Sequence, residues 1–260
     1  VRKVKIKIAV ISDIHGHADG LRVALQAIET QGVDLTVCLG DLLTYGTQPN
    51  AVIDTLLSYQ MRQPFVLLKG NHDQFYFDWQ RHQLALYAMP DFVKESIEWT
   101  TRHLDYAAFE HLFDWREHFV FEQVYFAHAN PFAYGDWRYL DKPESCEAAI
   151  LALKQHPVSL GVFGHSHRQS LRLHTTQGLE TFDACMQVDT QADEMALMNP
   201  GTVGQPRGCG FCYGLLTIEA QQVQAQLIPL QVDTAPMILS LQQSDLSPST
   251  QQKLIGYLRS

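Results

Sequence analysis

The sequence predicts an α/β fold. Short runs rich in Val, Ile, Leu and Phe recur along the chain, and several end at a glycine or a polar cluster. Between the early runs lie segments of helical periodicity, which argues for strand–helix layering. In the later part strand-like runs dominate, and that predicts a second sheet.

The elements follow in order. VKIKIAVI (4–11) is the first strand. The opening VRKVKIKIAVIS is basic and then apolar, without a long apolar core or a small-residue cleavage site, so it is expected to be strand and not a targeting peptide. ADGLRVALQAIETQG (18–32) puts Leu21, Leu25 and Ile28 on one helical face and stops at Gly32. LTVCLG (35–40) and PFVLLKG (64–70) are strands around a second helical pattern, QPNAVIDTLLSYQ (48–60). Residues 78–118 are helical in pattern, carry Trp79, Trp99 and Trp115, and are expected to be an insertion in a single domain spanning 1–260. FVFEQVYFAH (119–128), SLGVFGH (159–165), EMALMNPG (194–201), CYGLLTIEA (212–220) and VQAQLIPL (223–230) are the later strands. The tail carries one expected helix, SPSTQQKLIGYLR (247–259), with Ser247 as N-cap and Pro248 at the first helical position.

Composition narrows the function. The chain has 260 residues, 46% apolar and 18% charged, enough for a substantial core. A formal net charge of −9 works against binding long nucleic acid or anionic membrane. No run reaches the roughly 18 apolar residues of a membrane span. The five cysteines are scattered; CGFC (209–212) has neither a second pair nor a thioredoxin-like context, so reduced thiols in a cytoplasmic protein are expected. Oligomeric state has no signature.

Of twelve histidines, His82, His103, His111, His118, His156 and His174 sit in polar surroundings and are expected to be solvated. The others fall in short glycine-bearing motifs. SDIHGH holds Asp13 and His15; Gly40 is followed by Asp41; Gly70 by Asn71, His72 and Asp73; AHAN holds His128; GHSH holds His165 and His167. Five times an apolar run ends and presents Asp, Asn or His. In α/β sheets ligands collect beyond the carboxyl ends of strands. If these segments are extended, Asp-x-His and His-x-His throw alternate side chains to one side.

Carboxylate, imidazole and amide oxygen, without thiolate, suit divalent Mn, Fe, Zn, Co or Ni. Seven such residues exceed one tetrahedral ion and suit two ions sharing a bridge, for which Asp41 is the natural residue. Two divalent ions set against two aspartates and one hydroxide leave a net positive hole in an acidic protein. A phosphate group is the guest that fits it.

At these residues the sequence resembles the calcineurin-like metallophosphoesterase superfamily. Asp13-Ile-His15, Gly40-Asp41, Gly70-Asn71-His72-Asp73, His128 and Gly164-His165-Ser166-His167 reproduce its motifs in order. GDLLTYGTQPNAVI, HANPFAYGDWRYL and MNPGTVGQPRG are similar to its small bacterial and archaeal phosphodiesterase-like branch, over nearly the whole chain. That branch often has Asn at His17, Thr at Ser166 and Ser at Thr202. The resemblance implies a four-layer sandwich, two mixed β-sheets flanked by helices. It implies one metal held by Asp13, His15, Asp41 and His167 and a second by Asp41, Asn71, His128 and His165, with manganese the leading ion.

The expected activity is hydrolysis of small phosphodiesters or phosphomonoesters. A water bridging the ions, its pKa lowered towards about 7, attacks phosphorus in line. His72 is the expected catalytic residue, protonating the leaving alkoxide or stabilising phosphoryl oxygens. Asp73 orients His72 or caps the next helix. Arg207 clamps phosphate or braces its loop, and His17 touches substrate or stands at the rim. Tyr45, Trp137 and Tyr139 form an aromatic wall or serve packing. A non-catalytic scaffold of the same fold is the competing class, but the chain keeps His72 and every ligand. A protein phosphatase is disfavoured, because Leu-Leu-Thr-Tyr follows Asp41 and the third motif ends in Asp73.

Overall fold

Alternating apolar strands and amphipathic helices form two β-sheets packed face to face with helices outside them. The computed structural model describes residues 5–83, 87–106, 109–175, 178–182, 187–189, 194–220 and 222–259. The first sheet has the order β10-β13-β12-β1-β2-β3-β4. Its strands are β1 (Lys5–Ile11), β2 (Leu35–Cys38), β3 (Phe65–Leu68), β4 (Trp115–Arg116), β10 (Gln187–Asp189), β12 (Phe211–Glu219) and β13 (Gln222–Leu230). Strands β1 to β4 run parallel, and β12 joins β1 antiparallel, with Val10 opposite Val37 on one side and Gly214 on the other. The second sheet has the order β5-β6-β7-β11-β8-β9. It comprises β5 (His118–Phe121), β6 (Val124–Ala127), β7 (Leu160–Phe163), β8 (Ser170–Thr175), β9 (Gly178–Phe182) and β11 (Met195–Asn199), with β6, β7 and β11 parallel.

Burial explains the layering. Ile8, Val10, Val37, Leu39 and Leu68 of the first sheet meet Val124, Phe126, Val162, Ala196 and Met198 of the second in one buried cluster. The outer face of the first sheet is covered by α1 (Ala18–Gln31), α2 (Pro49–Gln60), α3 (Asn71–Gln80), α4 (Asp91–His103), α6 (Ala235–Gln243) and α7 (Pro248–Leu258). Helix α5 (Pro143–Leu153) covers the second sheet through Cys146, Ala149, Ile150 and Leu153. The four-layer expectation holds. Helix α1 buries Leu21, Leu25 and Ile28 and ends at Gly32 in the left-handed conformation, and the Ser247 hydroxyl caps α7 by accepting from the Thr250 N–H. Among the described residues no helix is long and apolar enough to cross a membrane.

Four local expectations change. FVFEQVYFAH is not one strand but a hairpin, β5 to β6, turning at Glu122, whose φ is 51°. Residues 78–118 are not wholly helical. Helix α3 starts earlier, at Asn71; α4 follows, then a single helical turn at Phe109–His111, and β4 adds to the sheet edge beside β3. Val93, Ile97, Trp99, Phe109 and Phe113 share one core with Leu67 and Tyr76, so apolar contact with the sheet orders this stretch. Strands β8 and β9 lie at the far edge of the second sheet, where polar alternation hides a strand from a search for apolar runs. The tail carries two helices, α6 as well as α7.

Candidate metal centre

The loops after β1, β2, β3, β6 and β7 converge at one end of the sandwich. Ladders of main-chain hydrogen bonds tie the first two together. Asp13 N–H donates to the Gly40 carbonyl at 3.1 Å, His15 N–H to Asp41 at 2.9 Å and Gly16 N–H to Leu42 at 2.8 Å. Within them Asp13, His15 and Asp41 have φ of 56°, 49° and 57°, and His165 and His167 have 66° and 59°. Left-handed φ at a residue with a Cβ costs on the order of 1–3 kcal/mol and persists only where surroundings over-determine it. The extended alternation expected for Asp-x-His and His-x-His is therefore replaced by left-handed turns. Their consequence is visible at GHSH, where His165 and His167 enter different ligand groups.

Glycine permits the close approach. A Cβ on Gly70 would lie 2.1 Å from Asp41 Oδ1, and one on Gly164 would lie 2.0 Å from Ser12 Oγ.

Two clusters of potential ligands result: Asp13, His15 and His167, and Asp41, His128 and His165, each with ligand atoms within 4.8 Å of one another. Asp41 lies between them, its Oδ2 3.7 Å from His15 Nε2 and 3.3 Å from His128 Nε2. Asn71 Oδ1 lies 3.2 Å from His128 Nε2, on the side of the second cluster. All seven predicted ligands are thus gathered in one place.

The imidazoles are pre-oriented by main-chain carbonyls, which only accept. His15 Nδ1 donates to Leu43 O at 3.1 Å, His128 Nδ1 to Leu39 O at 2.9 Å and His167 Nδ1 to Gln205 O at 2.7 Å. His165 does the reverse, donating Nε2–H to Trp137 O at 3.0 Å, which turns Nδ1 towards the centre. Such outer hydrogen bonds fix the tautomer of a metal-binding histidine. Burial holds His15 and His167 well below the ordinary imidazole pKa, so both are neutral.

Their Nε2 atoms therefore face each other as lone pairs at 3.1 Å, with Asp13 Oδ1 3.4 Å from His167 Nε2. That carboxylate oxygen is buried and has no hydrogen-bond partner. Acceptors converge with no proton among them, an arrangement that a cation between them satisfies. Burial raises the Asp13 carboxyl to about 6. At the second cluster burial opposes charge on both partners, but contact wins. The His128 imidazolium holds Asp41 well below the usual carboxylate range, and Asp41 holds His128 at about 9. A proton there supplies the positive charge that a metal ion replaces.

His72 stands beside this array, its ring centroid 5.0 Å from that of His15. Burial depresses its pKa to about 4. Its Nε2 lies 3.3 Å from the Tyr45 hydroxyl, while Nδ1 is buried without a partner. Tyr45 packs on both rings, 4.7 Å from His15 and 5.0 Å from His72, on a backbone with φ of 73° after Thr44 at 76°. The sequence offers it only as one aromatic among several.

Asp73 does not orient His72. Its Oδ2 accepts from Asp41 N–H at 2.7 Å and Gly70 N–H at 2.9 Å, and its Oδ1 from Leu42 N–H at 2.9 Å. It caps α3 and fixes the loop that carries Asp41, so the catalytic reading gives way to a positioning one. Burial raises its pKa to about 7 against the pull of those three N–H groups. Asp73→Asn turns an amide NH₂ towards at least one of these donors. The expected loss is about 1–3 kcal/mol of stability, read by urea denaturation; an unchanged midpoint would discard this role.

Arg207 is half-buried, with its guanidinium carbon 5.7 Å from the Tyr257 ring centroid. Its positive charge acts on Asp13, His15, His72 and His167. Its loop is braced by other groups: Gln169 Nε2 donates to Cys209 O at 2.6 Å and Arg168 Nε to Arg207 O at 3.4 Å. His17 is 2% exposed at the N-cap of α1, not at an open rim, and belongs to neither cluster. Thr202 and Asn199 are supports that motif spacing does not mark. The Thr202 hydroxyl donates to Asp13 O at 2.7 Å, and Asn199 Nδ2 donates to Gly164 O at 2.6 Å. Among the described residues no disulfide forms; Cys185 lies outside them.

Comparison with known proteins agrees with the geometry. The family model of calcineurin-like phosphoesterases matches residues 6–169, more than half the chain. A protein of Methanocaldococcus jannaschii without an assigned function is 29% identical over 215 residues, covering 78% of this chain and 79% of its own. A metallophosphoesterase from Sphaerobacter thermophilus superposes with a TM-score of 0.72 at 21% identity, covering 96% of this chain and 98% of its own. A hypothetical protein from Pyrococcus horikoshii does so with 0.75 at 18% identity, covering 96% and 97%. These two share the fold. With the family match over five motifs and a converging ligand array, the chain belongs to the calcineurin-like phosphoesterases and is a hydrolase of phosphoric ester bonds.

Proposed function

We propose that this chain hydrolyses small phosphodiesters or phosphomonoesters at a two-metal centre, with manganese the leading ion. The observation that carries the reading is the facing lone pairs of His15 and His167 beside the unpartnered Asp13 Oδ1. Asp13, His15, Asp41 and His167 would hold one ion and Asp41, Asn71, His128 and His165 the other. When bound, the ions supply Lewis-acid charge to a phosphoryl group and bring the pKa of water to about 7.

The chain's own residues do the rest. Asp41 stands between the clusters, held by the N–H of His72 on its Oδ1 at 2.8 Å. Asn71 offers a neutral oxygen, which leaves the site net positive for an anionic ester. His72 is neutral near pH 7, and its imidazole stands beside the ligand array as a hydrogen-bonding group for the ester. Arg207 is placed to bind a phosphoryl oxygen through a planar cation. We read residues 1–260 as one catalytic domain of a cytoplasmic enzyme, with small esters favoured over long nucleic acid by the net charge of −9.

The test is reconstitution. Protein stripped by chelation and reloaded with Mn, Fe, Zn, Co or Ni is assayed on bis(p-nitrophenyl) phosphate and p-nitrophenyl phosphate. The expected result is about two ions per chain and turnover that chelator abolishes. Metal-independent turnover, or none with any ion on either ester, would reject it.

A further inference from the structure

A cavity of about 470 Å³ opens beside His165, on the flank of the second sheet. Pockets for small organic ligands run from about 300 to 1,000 Å³. A single phosphate at the metal centre leaves most of this space unfilled. Its wall is chemically divided. Phe163 and Leu197, 2% and 4% exposed, contribute an apolar surface. Tyr139 is 45% exposed and stacks on the His165 imidazole with ring centroids 4.6 Å apart and planes 16° apart. Arg168, Arg172 and Arg207 surround the rest, against one carboxylate, Asp141.

The arginines are the unusual feature. In a chain of net charge −9, three meet at one cavity, and among the described residues none forms an ion pair. Arg207 Nε and Gln169 Oε1 are buried without hydrogen-bond partners on the same wall. A partnerless buried donor and acceptor beside surplus positive charge mark a surface shaped for a polar, anionic guest.

We infer that this cavity is a subsite for a nucleoside phosphate forming the far side of the ester. The Tyr139 ring and the apolar wall match a planar base. Arg168 and Arg172 match a phosphate beyond the one under attack. Cyclic nucleotides, with a single phosphate, leave that second charge unmatched. For its chemistry the inference rests on the proposed phosphoesterase function; its binding does not depend on turnover.

The experiment is calorimetric titration of manganese-loaded protein with ADP, pyrophosphate and adenosine. ADP is expected to bind at least about tenfold more tightly than either fragment, since it engages ring and charge together. Tyr139→Ala is expected to weaken ADP about tenfold and leave pyrophosphate unchanged. Arg168→Ala, at an exposed position, is expected to weaken both. Loss of aryl ester hydrolysis with these differences intact would count against the enzyme and support the subsite. ADP binding no tighter than pyrophosphate, or equally tight in both variants, overturns it.

Discussion

Asp41→Asn is expected to lower turnover of bis(p-nitrophenyl) phosphate by about 10³-fold or more. The magnitude follows from charge. Asp41 places one carboxylate oxygen beside ligands of both clusters, at 3.7 Å from His15 Nε2 and 3.3 Å from His128 Nε2. Replacing it by an amide removes a negative charge from both proposed ion sites at once. Loss of Lewis-acid stabilisation worth several kcal/mol corresponds to about three powers of ten in rate. The fold is expected to survive, because Asn keeps an oxygen for the His72 N–H, and the Asp73 carboxylate still accepts from the backbone of residues 41 and 42. The check is metal content by mass spectrometry alongside turnover and a melting curve. A folded variant with two ions and wild-type rate would remove Asp41 from the bridging position.

The candidate ligand set is legible in the sequence because each member follows an apolar strand, and parallel strands must bring their carboxyl ends to one edge. The route by which the side chains reach each other is not. His165 and His167 look like alternate residues of an extended segment, yet each is left-handed and they diverge to different clusters. Local pattern cannot show this, because these loops are held by hydrogen bonds from residues about 30 or 150 positions away, His72 N–H donating to Asp41 Oδ1 at 2.8 Å and His165 N–H to Asp13 Oδ2 at 3.0 Å. Asp73 illustrates the same limit. Its neighbour in sequence is His72, but its oxygens point to Asp41 and Leu42. The fold is legible wherever burial is complete, as in β6, β7 and the last four residues of β1. It is hidden in β8 and β9, whose polar residues suit an edge.

His72→Asn is expected to slow hydrolysis by about 10²–10⁴-fold, with the leaving group deciding how much. An acid that protonates the departing oxygen matters most for alkoxides and least for p-nitrophenolate, which leaves unassisted. A donor that only steadies phosphoryl oxygens costs the same for both. Burial holds His72 near pKa 4, so at pH 7 the imidazole is neutral, and a permanently charged acid is disfavoured in the resting protein. Approach of an anionic ester raises that pKa and makes a proton available only when substrate is bound. The expected outcome is therefore a loss for methyl p-nitrophenyl phosphate near the lower end of the range and a larger one for dialkyl esters. Tyr45→Phe separates position from chemistry. It keeps the ring packed against His15 and His72 but removes the hydroxyl 3.3 Å from Nε2, so it is expected to cost about tenfold with the same leaving-group trend. Equal losses across leaving groups in His72→Asn would assign this imidazole to charge stabilisation alone; a rate near wild type on every ester, with both ions still bound, would take it out of the reaction.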